Sequence, residues 1–154
     1  MAMATLALAA AACSPAGPRE LRLGEEACGY CRMTIDDARF AAQARTDKGK
    51  VQTFDSIECL ADWASAAPAG SVAAAWVSDF RAPGTWIPAA EARFVRLTRT
   101  SSPMGRGLAA VRATASDADR AAIGAEGPAV SWAELLKDAA ARRADPRVGT
   151  VHAH

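Results

Sequence analysis

From about residue 28 onward the apolar positions of this chain fall into short runs of strand length separated by Gly, Pro, Asp and Ser, with helical spacing in only a few places. Phe40 to Arg45 and Val51 to Phe54 read as two strands joined through Thr46 to Lys50, whose Asp47 and Gly49 suit a hairpin connection. Asp55 then reads as a helix N-cap. Glu58, three residues on, gives a capping-box-like start to a helix over Ser56 to Ala67 that stops at Pro68-Ala69-Gly70. Ser71 to Phe80 is apolar, carries Val and Trp, and predicts a buried strand.

A turn-rich stretch from Arg81 to Pro88 separates this from a second half with the same order. Phe94 to Thr98 alternates as a strand, Gly107 to Ala113 follows as another, and Ser116 caps a helix over Asp117 to Ala125. Pro128 to Trp132 is a short strand, and Ser131 with Glu134 caps a final helix to about Arg143. Strand, strand, helix, strand thus occurs twice. This predicts an α+β fold, two similar ββαβ halves over about 28–82 and 83–144 forming one compact domain, with 145–154 as a disordered tail.

The length of 154 residues suits one domain. Ala makes up about a quarter of the chain, so the core is expected to be thin, with Trp63, Trp76, Trp86 and Trp132 as its anchors. Lys and Arg number 18 against 17 Asp and Glu, which provides no basic field for nucleic acid. Both His, His152 and His154, fall in the last three residues, which excludes a Ser-His-Asp triad or a three-His zinc site inside the fold. What remains is Cys and Met chemistry.

Residues 1–12 are small, apolar and uncharged, and lead to Cys13-Ser14-Pro15. This reads as a signal peptide meeting its cleavage site. It resembles the bacterial lipoprotein signal, in which the Cys after the cut, here Cys13, carries lipid. Residues 13–27, with Pro15, Gly17 and Pro18, then read as a flexible tether to the domain. No later run reaches the roughly 20 apolar residues a spanning helix needs, so membrane attachment is expected through lipid. With Cys13 set aside, Cys28, Cys31 and Cys59 are an odd number of thiols in an exported chain, and at least one must stay unpaired or bind something.

Cys28-Gly29-Tyr30-Cys31-Arg32-Met33 is the most informative stretch. Three chemistries fit the Cys pair: a structural disulfide, a thiol-disulfide redox pair, or a soft-metal site. A redox pair of the thioredoxin kind belongs at a helix start after a strand, and this one precedes the first strand. Met33 tilts the choice to metal, because thiolate and thioether together select Cu(I), whereas zinc sites are completed by Cys or His. Cys59, in the first turn of the helix expected after Asp55, reads either as a further ligand or as a small buried residue beside Trp63. Met104, in the loop Ser101 to Gly107, reads either as a second thioether ligand or as packing. A metal role for Asp55 ranks below its duty as cap. Asp79 could cap a turn or orient a ligand, and His152 with His154 form a terminal pair suited to weak Cu(II) or nickel binding.

Taken in order, the run Cys28 to Ile35, the run Thr53 to Leu60, Trp76-Val77-Ser78-Asp79-Phe80 and Ser102-Pro103-Met104-Gly105 resemble the NosL family, lipoprotein accessory proteins of nitrous oxide reductase. The similarity runs from about Cys28 to Leu136. It implies a periplasmic, lipid-anchored Cu(I) carrier that delivers copper to a copper enzyme, not itself an enzyme, built from two related ββαβ halves. Cys28, Cys31 and Met33 occupy the family's Cys-x-x-Cys-x-Met positions, and Met104 the Met of the second-half loop. Some members carry a His where Ser78 stands here, so the shell must be sulfur-rich or completed by the terminal His. The alternative of another class is a cell-envelope thiol-disulfide oxidoreductase using Cys28 and Cys31, with Cys59 as an additional thiol.

Overall fold

The computed structural model describes residues 17–145, and within them two antiparallel sheets are built around two central strands. In the first, β1 (Ala42–Thr46) lies between β2 (Val51–Phe54) and β3 (Val72–Asp79), with β4 (Ala82–Pro88) at the far edge. Helix α1 (Ile57–Ala66) carries the chain from β2 across to β3. In the second, β5 (Ala92–Leu97) lies between β6 (Leu108–Arg112) and β7 (Ala125–Val130), with α2 (Asp117–Ala122) on the equivalent crossover. The two halves therefore share one strand order, central strand first, as the repeated pattern in the sequence implied. A closing helix, α3 (Trp132–Ala144), returns to lie alongside α1 and joins the halves. The Phe80 N–H also donates to the Ala110 carbonyl at 2.9 Å across the seam.

Alternation along β5 and β6 explains why this strand pair reads as continuously apolar. Phe94, Leu108 and Ala110 face the principal core with Phe54, Ile57, Leu60, Val77 and Leu135, while Val95, Leu97, Ala109 and Val111 face a second cluster under Phe40. A sheet buried on both faces loses the polar side of its period-two pattern. The core is rich in Ala, as composition suggested, but Phe40, Phe54 and Phe94 fill it, not Trp. All four Trp are only half-buried. Trp63 stacks at the core's edge on Phe54 (5.4 Å between rings) and Trp132 on Phe94 (5.7 Å). The expected Trp anchors are thereby corrected in depth: Trp63, Trp86 and Trp132 pack against the principal core from its edge, while Trp76 is in neither core cluster.

Three further expectations change. Arg81 to Pro88 is not a loop but contains strand β4, hidden in the sequence by Pro83 and Gly84; an edge strand tolerates Pro because its outer side donates to nothing. The second-half helix stops at Ala122, not Ala125, and β7 begins three residues before Pro128, after Gly124 turns the chain at φ +74°. The tether is shorter than 13–27. The Arg19 N–H donates to the Gln43 side chain at 3.0 Å, Gln43 donates back to the Arg19 carbonyl at 2.7 Å, and Leu21 packs on the core. Cys13, the signal-like residues 1–12 and the terminal His152 and His154 lie outside the described residues. No helix among the described residues is long and apolar enough to cross a membrane.

Candidate metal centre

The Cys-x-x-Cys stretch forms the tip of a small hairpin ahead of β1. Its legs are tied by Gly24 N–H to Ile35 O and Ile35 N–H to Glu26 O, both 2.8 Å, and by a bridge between Ala27 and Thr34. At the tip the Cys28 N–H donates to the Met33 carbonyl at 2.7 Å and Arg32 adopts φ +70°, the left-handed turn that lets six residues close the loop. Gly29 pins this tip to the first sheet through its N–H to Thr53 O at 2.8 Å; a Cβ there would press on the Gln52 side-chain oxygen at 3.1 Å. The Glu26 carboxylate fastens the base by accepting from the Arg19 guanidinium, the Arg22 N–H and the Thr53 hydroxyl. Those bonds, Arg19 first, pull the Glu26 carboxyl down to about 2.

The other side of the site comes from the start of α1. Ser56, not Asp55, is the N-cap: its hydroxyl accepts from the Cys59 N–H at 3.1 Å. This corrects the expected cap by one residue, because Asp55 still belongs to the extended segment leaving β2 and its side chain points away from the helix N–H groups to Cys31. The Cys31 thiol donates to Asp55 Oδ2 at 3.2 Å, while Oδ1 is buried with no hydrogen-bond partner. Cys59, on the first helical turn, is fully buried and faces Cys28. Donor atoms of Cys28, Cys31, Cys59 and Asp55 all lie within 4.8 Å of one another. The three thiols are free, with no disulfide among them.

Crowding three thiols makes their protonation uneven. Hydrogen bonding to the Cys59 thiol, helped by backbone N–H groups of Asp55, Tyr30 and Cys31, outweighs burial and lowers Cys28 to about 6. Cys31 rises to about 11, chiefly through burial and then through the Asp55 carboxylate and Cys28 beside it. Cys59 also rises, since it holds its proton against the Cys28 sulfur and is buried. Cys28 is thus the first of the three to ionise, and the protons held more tightly on Cys31 and Cys59 are those an arriving metal ion must displace.

Met33, two residues past Cys31 and bonded through its carbonyl to the Cys28 N–H, is 52% exposed. Met104 lies in the loop between β5 and β6, partly buried against the core cluster that contains Cys28 and Cys59. That loop is held down by a residue the sequence misassigned. Glu58 was expected to complete a capping box, but its buried carboxylate instead reaches the second half, where Oε1 accepts from the Ser102 hydroxyl and from the Leu108 N–H at 3.2 Å. Ser102 in turn accepts the Gly107 N–H at 3.0 Å, and Arg106 pairs with Asp62 of α1 at 2.9 Å. Only its burial among apolar helix positions marks Glu58 out, and in sequence a polar residue two after an N-cap gives no such signal.

A model of the NosL family matches residues 21–140. The chain belongs to the NosL family. The crystal structure of the copper chaperone NosL from Shewanella denitrificans shares its fold, with a TM-score of 0.61, 19% sequence identity, and coverage of 77% of this chain and 96% of that one. No curated protein sequence matches the chain. Within this NosL chain, Ser78 is committed elsewhere than the thiol cluster: it is fully buried, and its hydroxyl accepts the Gly84 N–H at 2.9 Å, closing the β3–β4 hairpin. Asp79 accepts the Arg81 N–H at 3.1 Å and pairs with Arg112 at 3.4 Å, so it serves a turn and an ion pair.

Proposed function

We propose that this NosL protein is a copper chaperone that carries Cu(I) on Cys28, Cys31 and Met33, with Cys59 and Met104 as further sulfur donors, and passes it to a copper enzyme. The observation that carries the proposal is the convergence of three free thiols at a hairpin that also carries the exposed Met33. Soft donors in that number and order suit Cu(I) over harder ions. The name of the Shewanella relative, a copper chaperone, supports the same cargo. The client is nitrous oxide reductase, the setting is the periplasm, and lipid on Cys13 holds the carrier at the membrane; these follow from the family resemblance and the amino-terminal pattern.

Burial argues against the oxidoreductase alternative. An attacking thiolate must be reached by its substrate, and Cys28, the thiol most inclined to ionise, has no exposed surface.

Anaerobic Cu(I) titration of the reduced protein, in competition with a chromogenic chelator and followed by X-ray absorption, tests the cargo. One equivalent in a sulfur-dominated shell is expected, with Cys31→Ser weakening binding about 100-fold or more. Unchanged affinity in Cys31→Ser, or no uptake above the chelator, would overturn the assignment. Copper transfer to apo nitrous oxide reductase tests the client, and release of Cys13→Ser from the membrane fraction tests the anchor.

A further inference from the structure

Copper(I) leaves Asp55 without a purpose. Two or three sulfurs satisfy that ion, and a carboxylate is a poor partner for it. Asp55 is nonetheless almost fully buried, 2% exposed, and Oδ1 has no hydrogen-bond partner. Its expected structural duty has gone to the Ser56 hydroxyl. Its other oxygen faces the Cys31 sulfur at 3.2 Å. A buried carboxylate with an unused oxygen, aimed into a group of thiols, is the arrangement of a metal ligand whose ion is oxophilic as well as thiophilic.

We infer that the cluster also binds a divalent ion of the zinc class, in a four-coordinate shell of three sulfurs from Cys28, Cys31 and Cys59 and one oxygen from Asp55. Geometry favours it. Tetrahedral zinc with bonds of about 2.3 Å to sulfur and 2.0–2.2 Å to oxygen sets its sulfurs about 3.8 Å apart. The four donor atoms already lie within 4.8 Å, so closing on the ion takes movements of about 1 Å or less. Three thiolates and a carboxylate leave a net negative charge on the zinc site, and part of it is offset by the Tyr30 N–H, which approaches the Cys28 sulfur at 3.5 Å, and by the first turn of α1 at Cys59, where backbone dipoles favour anions. Met33 takes no part, because thioether is a poor zinc donor. Asp55 and Met33 therefore divide the two ions, the carboxylate serving zinc and the thioether serving copper.

This goes beyond the copper proposal and stands or falls separately from it. The test is Zn(II) titration of the reduced, metal-free protein against a chromogenic chelator, with zinc X-ray absorption of the product and a parallel Cu(I) titration, on the parent and on Asp55→Asn. The parent is expected to bind one zinc through three sulfurs and one light atom. Asp55→Asn, which keeps the size of the side chain, is expected to lose about 100-fold in zinc affinity with no loss of Cu(I) affinity, since removing the carboxylate beside Cys31 only eases ionisation of that thiol. No zinc uptake by a protein that takes up copper would overturn the inference and leave the copper proposal intact. Equal losses for both ions in Asp55→Asn, or a zinc shell of sulfur alone in the parent, would also overturn it. Zinc uptake with no copper uptake would support it and defeat the copper proposal.

Discussion

Glu58 is the hinge pin between the halves, and removing it should cost a definite amount. Its Oε1 accepts from the Ser102 hydroxyl and the Leu108 N–H, and the residue is 2% exposed. Each hydrogen bond to a charged acceptor contributes about 1.5–3 kcal/mol, so Glu58→Ala forfeits about 3–6 kcal/mol. Against that, Oε2 is buried without a partner, and deleting it recovers about 1–3 kcal/mol. Taking the middle of each range, the net loss is about 2–3 kcal/mol. Urea unfolding followed by Trp fluorescence measures it. With a slope of about 2 kcal/mol/M, the middle of the range for small proteins, the midpoint should fall by about 1–1.5 M at constant slope. Glu58→Gln keeps an acceptor for Ser102 and Leu108 without the charge, and should lie about halfway between Glu58→Ala and the parent. A Glu58→Ala midpoint within 0.2 M or so of the parent would refute the reasoning, since it would mean that the loop of Met104 is held by other contacts.

Other perturbations separate packing from the site. Phe94→Ala, in the middle of the principal core, should cost about 3–5 kcal/mol in the same assay. Gly107→Ala should lower the melting temperature measured by circular dichroism, because φ is +65° and the new Cβ would sit 2.7 Å from the Leu97 carbonyl oxygen; the strain is about 1–3 kcal/mol. Glu26, whose folded value of about 2 lies below its ordinary 4.5, adds stability that is present above about pH 4.5 and fades as pH falls toward 2. Glu26→Gln should therefore be less stable than the parent at pH 7, with the gap closing through that window; a gap that persists at pH 2 would show that the Arg19 contact acts through packing alone.

Local signals found most of the fold and named the four clustered residues, Cys59 and Asp55 only as possible additional ligands, and the two failures share a cause. Ser116 and Ser131 read as caps, Ser131 with Glu134 as its partner, and both form full capping boxes, Ser116 through Asp119. At α1 two adjacent residues, Asp55 and Ser56, could each cap, and spacing alone favoured the one with Glu58 at the right interval. The choice was made by tertiary contacts: Cys31 drew Asp55 away and the second half drew Glu58. Strand β4 was lost in the same manner, since Pro83 and Gly84 read as breakers until an edge position makes them harmless. The Cys pair was legible because its spacing is local. Joining it to Cys59 and Asp55 required knowing that the end of β2 passes the hairpin tip, which the Gly29 N–H to Thr53 contact fixes and no sequence period announces.

For a carrier, the depth of each donor matters as much as its identity. Cys28 and Cys59 have no exposed surface, Cys31 is half-buried and Met33 is half exposed. Under the copper proposal a receiving protein can reach Met33 and Cys31 from solvent, whereas Cys28 and Cys59 are reached only after the site opens. The hairpin that holds Cys28, Cys31 and Met33 is pinned to the sheet through the Gly29 N–H but is not a strand of it, so fewer backbone hydrogen bonds resist its displacement than hold β2 or α1. Cys59 belongs to α1, which packs along α3. The sulfurs therefore come from two separately held parts of the fold, and under the copper proposal a displacement of the hairpin would part Cys28, Cys31 and Met33 from Cys59, the sulfur left in place.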